Sequence, residues 1–208
     1  MFTGIVQGMA RVVALEVRDQ FVHLSMMFPQ GGLDRVQTGA SIALNGVCLT
    51  VTSFDGDSAQ FDIIDETLDK TTLGDLAVGQ EVNFERAAAF GSEIGGHLLS
   101  GHISDTAEVV QRIDTEDNCV LTLSVHSNWI DYLLPKGFVA IDGVSLTIGV
   151  VDVDRSTFQV HLIPETLRVT NLGEMRVGMH MNLELDSMTQ AVVHTVRRVL
   201  SRRDAKQE

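Results

Sequence analysis

Short runs in which apolar and polar residues alternate cover most of this chain, and few of them are long enough for a helix. Residues 81–86 alternate cleanly, with Val82 and Phe84 on one face and Glu81, Asn83 and Glu85 on the other, which predicts a half-buried strand. Residues 11–17 and 21–27 are β-prone runs separated by Arg18-Asp19-Gln20. Residues 41–51 alternate less regularly and contain Asn45-Gly46, a dipeptide suited to a tight hairpin turn. Residues 51–54 and 60–64 flank Asp55-Gly56-Asp57, a second hairpin signal. Helical turns are expected over residues 68–73 and 167–172, with a weaker signal over 29–36. The Gly-rich stretch 90–101 reads as a structured loop. One long helix stands apart at the C-terminus. Ser187 is its expected N-cap, with Gln190 three residues on as capping-box partner, and Met188, Val192, Val196, Val199 and Leu200 form one apolar stripe. Arg197, Arg198, Arg202 and Arg203 gather toward the end that favours cations.

The pattern occurs twice. Asn45-Gly46-Val47-Cys48-Leu49-Thr50-Val51 returns 97 positions later as Asp142-Gly143-Val144-Ser145-Leu146-Thr147-Ile148. Glu66-Thr67-Leu68 returns as Glu165-Thr166-Leu167, Asn83 and Glu85 as Asn182 and Glu184, and the opening Phe2-Thr3-Gly4-Ile5-Val6 as Leu99-Ser100-Gly101-His102-Ile103. A repeat of this length is a whole domain, not a solenoid unit. The expected division is 1–97, 98–186, and a helix with its tail at 187–208. About six short strands per half, with Gly-rich turns, predict an all-β protein of two tandem, closed antiparallel barrels, because closure removes exposed strand edges.

Composition narrows the function. The formal net charge of −13 argues against nucleic acid, whose binders need clustered Lys and Arg. Cys48 and Cys119 occupy unmatched positions of the two repeats, so no duplicated disulfide or metal framework is expected. No apolar run approaches a membrane span, the N-terminal residues lack a signal-peptide pattern, and a cytoplasmic protein with free thiols is the expectation.

Matched polar pairs are candidates for twin pockets: Thr50 with Thr147, Thr67 with Thr166, Thr3 with Ser100, Asn83 with Asn182. The alternative is that they only preserve the fold. Mismatched positions suggest acid–base specialisation: Cys48 against Ser145, Ile5 against His102, Gly39 against Lys136, Asp62 against His161, Ala87 against Asp186. On this alignment the first half holds the thiol and the second most of the ionisable groups. A zinc site from His97 and His102 is not expected, since their spacing suits no helix face and no third ligand is evident.

The repeated box, together with Gly95-Gly96-His97-Leu98-Leu99-Ser100-Gly101-His102, Lys136-Gly137 and Ile163-Pro164-Glu165-Thr166-Leu167, resembles the riboflavin synthases of the alpha-chain, lumazine-dismutating type over essentially the whole chain. The resemblance implies two six-stranded Greek-key barrels and a C-terminal helix that joins three subunits. It implies that two molecules of 6,7-dimethyl-8-ribityllumazine react, one giving a four-carbon unit to the other, to yield riboflavin and 5-amino-6-ribitylamino-uracil, with no metal or cofactor. It places the active site between the N-barrel of one subunit and the C-barrel of a neighbour. Carried over by position, Gly4, Ile5, Val6, Cys48, Leu49, Thr50, Asp62, Ile63, Ile64, Asp65, Glu66 and Thr67 line the N-barrel pocket, with Gly101, His102 and Ile103 as a ligand-contacting link. Ser145, Leu146, Thr147, His161, Leu162, Ile163, Pro164, Glu165 and Thr166 line the C-barrel pocket, with Lys136 beside it. Ser41, Cys48, His102, Ser145 and Asp186 are the candidates for chemistry. The chain departs from the family at Asp69, where Arg is common and where the second half has Arg168. The rival expectation is a non-catalytic lumazine- or flavin-binding protein on the same fold; the joint presence of Ser41, Cys48, Gly101 and His102 favours the enzyme.

Overall fold

The computed structural model describes residues 1–116 and 118–204. Each half closes into a six-stranded antiparallel barrel. The first is built from β1 (Gly8–Val17), β2 (Phe21–Met27), β3 (Ser41–Leu44), β4 (Val47–Asp55), β5 (Ser58–Ile64) and β6 (Glu81–Arg86), in the spatial order β1-β2-β5-β4-β3-β6. Strand β2 lies beside β5 although β3 follows it in sequence, which is the Greek-key connection. The second repeats the design with β7 (Asp105–Asp114), β8 (Cys119–Ser124), β9 (Phe138–Ile141), β10 (Val144–Asp152), β11 (Thr157–Leu162) and β12 (His180–Leu185).

The alternation seen in the sequence is the alternation of burial. Val82 and Phe84 point inward on β6, and Leu24, Met26, Ile42, Leu44, Leu49, Val51, Phe61 and Ile63 join them in the first core. Asn45 and Gly46 both have positive φ, as do Asp142 and Gly143, so both repeated boxes turn as two-residue hairpins. The helical turns begin earlier than the apolar pattern indicates: α1 spans Asp65–Lys70 and α2 spans Pro164–Val169, each followed by a 3-10 turn. Residues 29–36 are a run of linked turns, not a helix.

The two barrels meet about a local pseudo-twofold axis. Phe2 and Leu99 exchange backbone hydrogen bonds of 2.9 and 3.0 Å across it, and with Ala43 and Ala140 they form a small core of their own. Beside it lies a buried polar network. Asn83 Nδ2 donates to the Asp142 carbonyl (3.0 Å) and to Asn171 Oδ1 (2.7 Å), and Asn182 Nδ2 donates to the Asn45 carbonyl (2.9 Å). The matched pair Asn83 and Asn182 therefore joins the barrels instead of lining pockets. Thr3 and Ser100 are also structural, since each donates its hydroxyl and backbone N–H to a buried glutamate, Glu85 or Glu184.

Helix α3 (Ser187–Asp204) is capped by Asp186, not Ser187. The Asp186 carboxylate accepts from the Thr189 N–H (2.8 Å) and hydroxyl (2.7 Å), and Gln190 reaches the Leu185 carbonyl (3.0 Å). One face docks on the second barrel through Val193, through His194 near the Tyr132 hydroxyl, and through Arg197, which lies over the Tyr132 ring and pairs with Asp131. The apolar stripe faces away, with Met188 and Val192 77% and 62% exposed. No helix among the described residues is long and apolar enough to cross a membrane.

Candidate functional site

A strand that leaves its neighbour opens a slot in a barrel wall, and each barrel has one at the same place. Residues 47–50 of β4 pair with β3, whereas β5 joins β4 only from Val51 onward. The far end of β5, from Asp62 to Ile64, pairs with β2 alone. The head of the resulting gap is filled from the other half of the chain: the Cys48 N–H donates to the Gly101 carbonyl at 2.9 Å. In the second barrel the Ser145 N–H donates to the Gly4 carbonyl at 2.9 Å. Strand alternation then turns the backbone N–H and C=O of Thr50 and Thr147 toward the gap, because the next residues bond the opposite way, Val51 N–H to Ala40 and Ile148 N–H to Gly137. These two residues present paired donor and acceptor groups suited to a planar amide-like edge.

The exchange of segments regroups the predicted residues. Gly4, Ile5 and Val6 belong with Ser145, not with Cys48, and Val6 packs on the second barrel's core. Gly101, His102 and Ile103 belong with Cys48, and Ile103 packs on the first barrel's core. The thiol side therefore gains a histidine, which the repeat alignment had placed with the second half. The approach is close: a Cβ on Gly4 would lie 2.5 Å from Ser145 Cβ, and one on Gly101 2.5 Å from Cys48 Cβ.

Four of the expected lining residues turn their side chains inward. Leu49, Ile63, Leu146 and Leu162 are buried inside the barrels. Their neighbours Cys48, Thr50, Asp62, Ile64, Ser145, Thr147, His161 and Ile163 alternate outward. Ile64 and Ile163 are 56% and 60% exposed, an apolar surface for a flat ring. Asp65, Glu66 and Thr67 lie on α1, and Pro164, Glu165 and Thr166 on α2, at the ends of the slots. On α1 Lys70 pairs with Glu66, and on α2 Arg168 pairs with Glu165, so the departure at Asp69 moves the cationic partner by one residue.

Ser41 opens β3 opposite Thr50, and its repeat mate Phe138 opens β9 opposite Thr147. Lys136 has a φ of 69°, where its mate Gly39 has 88°, so a side chain is held in a left-handed conformation beside Ile148. Asp62 Oδ1 lies 2.6 Å from His23 Nδ1, at the edge of a surface hollow of about 800 Å³ lined also by Arg18 and Phe21. A larger cleft of about 1150 Å³ runs between the barrels past Asn45, Asp142 and Asn171 and contains none of the sequence-predicted site residues.

One residue beside Ser145 is not among the site residues expected from the sequence. His97 is buried, and its Nδ1 lies 2.7 Å from Ser145 Oγ. Its ring stacks on Phe138 at a centroid distance of 5.1 Å. Burial pushes its pKa below the usual histidine value, against the pull of the Asp186 charge. Burial pushes Asp186 up, but the hydrogen bonds from Thr189 and the Met188 backbone, with the charge of His97, outweigh it and leave the carboxyl below its ordinary value. Sequence spacing gave no signal for this cluster, since its members come from the linker, β9, β10 and the end of β12.

The lumazine binding domain model matches residues 3–87 and 100–186, one copy per barrel. Riboflavin synthase of Escherichia coli (strain K12) is 51% identical over 98% of this chain and 95% of its own length. That of Chlamydia pneumoniae is 43% identical over 97% of this chain and 98% of its own. The solved structure of LumP complexed with riboflavin superposes with a TM-score of 0.82 at 32% identity, covering 90% of this chain and 100% of that one. LumP complexed with 6,7-dimethyl-8-(1'-D-ribityl) lumazine gives 0.81 at 28% identity, with the same coverage. The chain belongs to the lumazine-binding-domain family and, within it, to the riboflavin synthases.

Proposed function

We propose that this chain makes riboflavin by dismutation of two 6,7-dimethyl-8-ribityllumazine molecules, one transferring a four-carbon unit to the other and leaving as 5-amino-6-ribitylamino-uracil. The observation that carries this reading is the 51% identity to a riboflavin synthase over nearly the full length of both chains. The twin slots supply its physical sense, because a reaction between two identical molecules is served by two nearly identical sites. The rival, a binding protein such as LumP, shares the fold at lower identity.

In this reading the two units, 1–97 and 98–186, each hold one lumazine. The Thr50 and Thr147 backbones hold the pteridine edges, and the hydroxyls of Thr50, Thr67, Thr147 and Thr166 suit the ribityl chains. Ser41, Cys48 and His102 serve the first slot, and Ser145, Lys136 and Asp186 the second. The demanding steps are removal of a proton from an activated ring methyl and addition of a nucleophile to the other ring. Holding the rings face to face contributes much of the rate, since orientation alone can supply about 7–11 kcal/mol. Both slots are open on the outer wall, so a neighbouring subunit must close each one, and the exposed stripe of α3 fits a homotrimer. The two free cysteines support a cytoplasmic working compartment in this reading.

Mixing the purified full chain with 6,7-dimethyl-8-ribityllumazine, without added cofactor, should produce flavin fluorescence with one riboflavin formed for each two lumazines consumed. Lumazine that binds and is recovered unchanged would instead establish the non-catalytic reading.

A further inference from the structure

The duplication makes Cys48 and Ser145 equivalent, yet among the described residues only Ser145 has a base at hydrogen-bonding distance. His97 lies in the connector between the two matched domains, so it is an addition to the repeated plan. The connector is pressed onto Ser145: a Cβ on Gly96 would stand 2.6 Å from Ser145 Cβ and 2.8 Å from Oγ. The His97 backbone N–H donates to the Thr3 carbonyl at 3.1 Å, which ties the connector to the same strap that delivers Gly4. Phe138 covers one ring face. Nε2 is buried and hydrogen-bonds to no group of the chain among the described residues, an uncommon state for a buried ring nitrogen. No histidine is hydrogen-bonded to Cys48 among the described residues.

We propose that His97 is the positioning residue that makes Ser145, and not Cys48, the proton acceptor of the reaction, so that the lumazine held by the second barrel is the one deprotonated. This rests on the riboflavin-forming reading above. With His97 neutral and its hydrogen on Nε2, Nδ1 accepts the Ser145 hydroxyl hydrogen and leaves the oxygen lone pairs free for the slot. In the step itself a C–H bond of the activated ring methyl breaks. Its proton goes to Ser145 Oγ as the hydroxyl proton passes to His97 Nδ1. The electron pair remains delocalised over the lumazine ring. The imidazolium so formed is stabilised by the charge of Asp186, the ionised group that acts on His97 from the end of β12. Burial favours the uncharged ring and opposes the imidazolium, and the charge of Asp186 acts in the other direction, so a hydroxyl and a histidine are backed by a nearby carboxylate charge.

The test is a double-mutant cycle on the full-length protein with His97→Asn and Ser145→Ala, read by single-turnover rate at saturating lumazine and by riboflavin binding. Asparagine retains a hydrogen-bonding atom near the Nδ1 position but takes no proton. His97→Asn should lower the single-turnover rate by about 100-fold, in the range of general-base contributions, with riboflavin affinity changed by less than about threefold. In the Ser145→Ala background His97→Asn should cost nothing further, because a residue acting through Ser145 has no route without it. A merely structural role would move affinity with rate and would add its full cost in both backgrounds. Should His97→Asn fail to bind riboflavin, His97→Gln is read in the same way. Wild-type rates in His97→Asn, or additive losses, overturn the proposal while leaving the activity intact. A wild-type protein that forms no riboflavin overturns the functional reading, and this proposal with it.

Discussion

Gly101 shows how much a single atom matters here. Its φ is 81°, and a Cβ would meet Cys48 Cβ at 2.5 Å and the Phe2 ring at 3.0 Å. Gly101→Ala should therefore destabilise the fold by roughly 2–4 kcal/mol, about 1–2 for the left-handed backbone and the rest for overpacking. Gly39 is the control, with φ 88° and nothing within 4 Å of a Cβ, so Gly39→Ala should cost the backbone share alone. Urea denaturation midpoints separate the two; equal losses would mean that the contact with Cys48 carries no strain. The buried glutamates work at the same scale. Burial pushes the Glu85 and Glu184 carboxyls above their usual values, and the donors of Thr3 and Gly4, or of Ser100 and Gly101, partly offset that. Thr3, Gly4 and Glu85 were visible in the sequence as half of a repeated set, but not as one hydrogen-bonded unit.

Among the elements, α3 has two faces with different duties. Val193, His194 and Arg197 hold it to its own barrel, while Val192, Val196 and Val199 are 62%, 51% and 60% exposed. Changing these three valines to glutamine should leave the helix signal in circular dichroism intact and convert the proposed trimer to monomer in sedimentation. A triple variant that still sediments as a trimer would assign subunit contacts to the barrels. The strands of the elements were legible because alternation reports burial directly. The cap of α3 was misplaced by one residue because Asp and Ser are both good N-caps, and only the Thr189 bonds to Asp186 distinguish them.

At the scale of the whole molecule, the seam between barrels carries a buried acid. Burial raises the Asp142 carboxyl to about 7, against hydrogen bonds from the Asn182 backbone and the Asn171 side chain. Between the ordinary carboxylate value and about 7 the folded chain keeps a proton that the unfolded chain has released. Stability contributed by this group is therefore present at low pH, falls as pH rises through that window, and stays lowered above it. Asp142→Asn, which installs the residue that its mate Asn45 already is, removes the titration. Measured by calorimetry, the melting temperature of Asp142→Asn relative to wild type should climb between pH 4.5 and 7.5, at about 2–4 °C for each kcal/mol. A difference that stays flat with pH would show that Asp142 does not titrate in this range.

The sequence by itself determined the duplication, the all-β architecture and the two hairpin boxes, because burial alternation and turn chemistry are local and each was written twice. It did not determine which opening segment serves which barrel. Phe2-Thr3-Gly4 and Leu99-Ser100-Gly101 are near-copies, and the Cys48 and Ser145 N–H groups are equivalent donors, so staying home and crossing over satisfy the same local pattern. Only the packing of the barrels about their shared axis, through Phe2 against Leu99 and the asparagine network, decides for the exchange. The same packing lays the connector on Ser145 and brings His97 to it, a contact between residues 48 positions apart that no periodicity could announce.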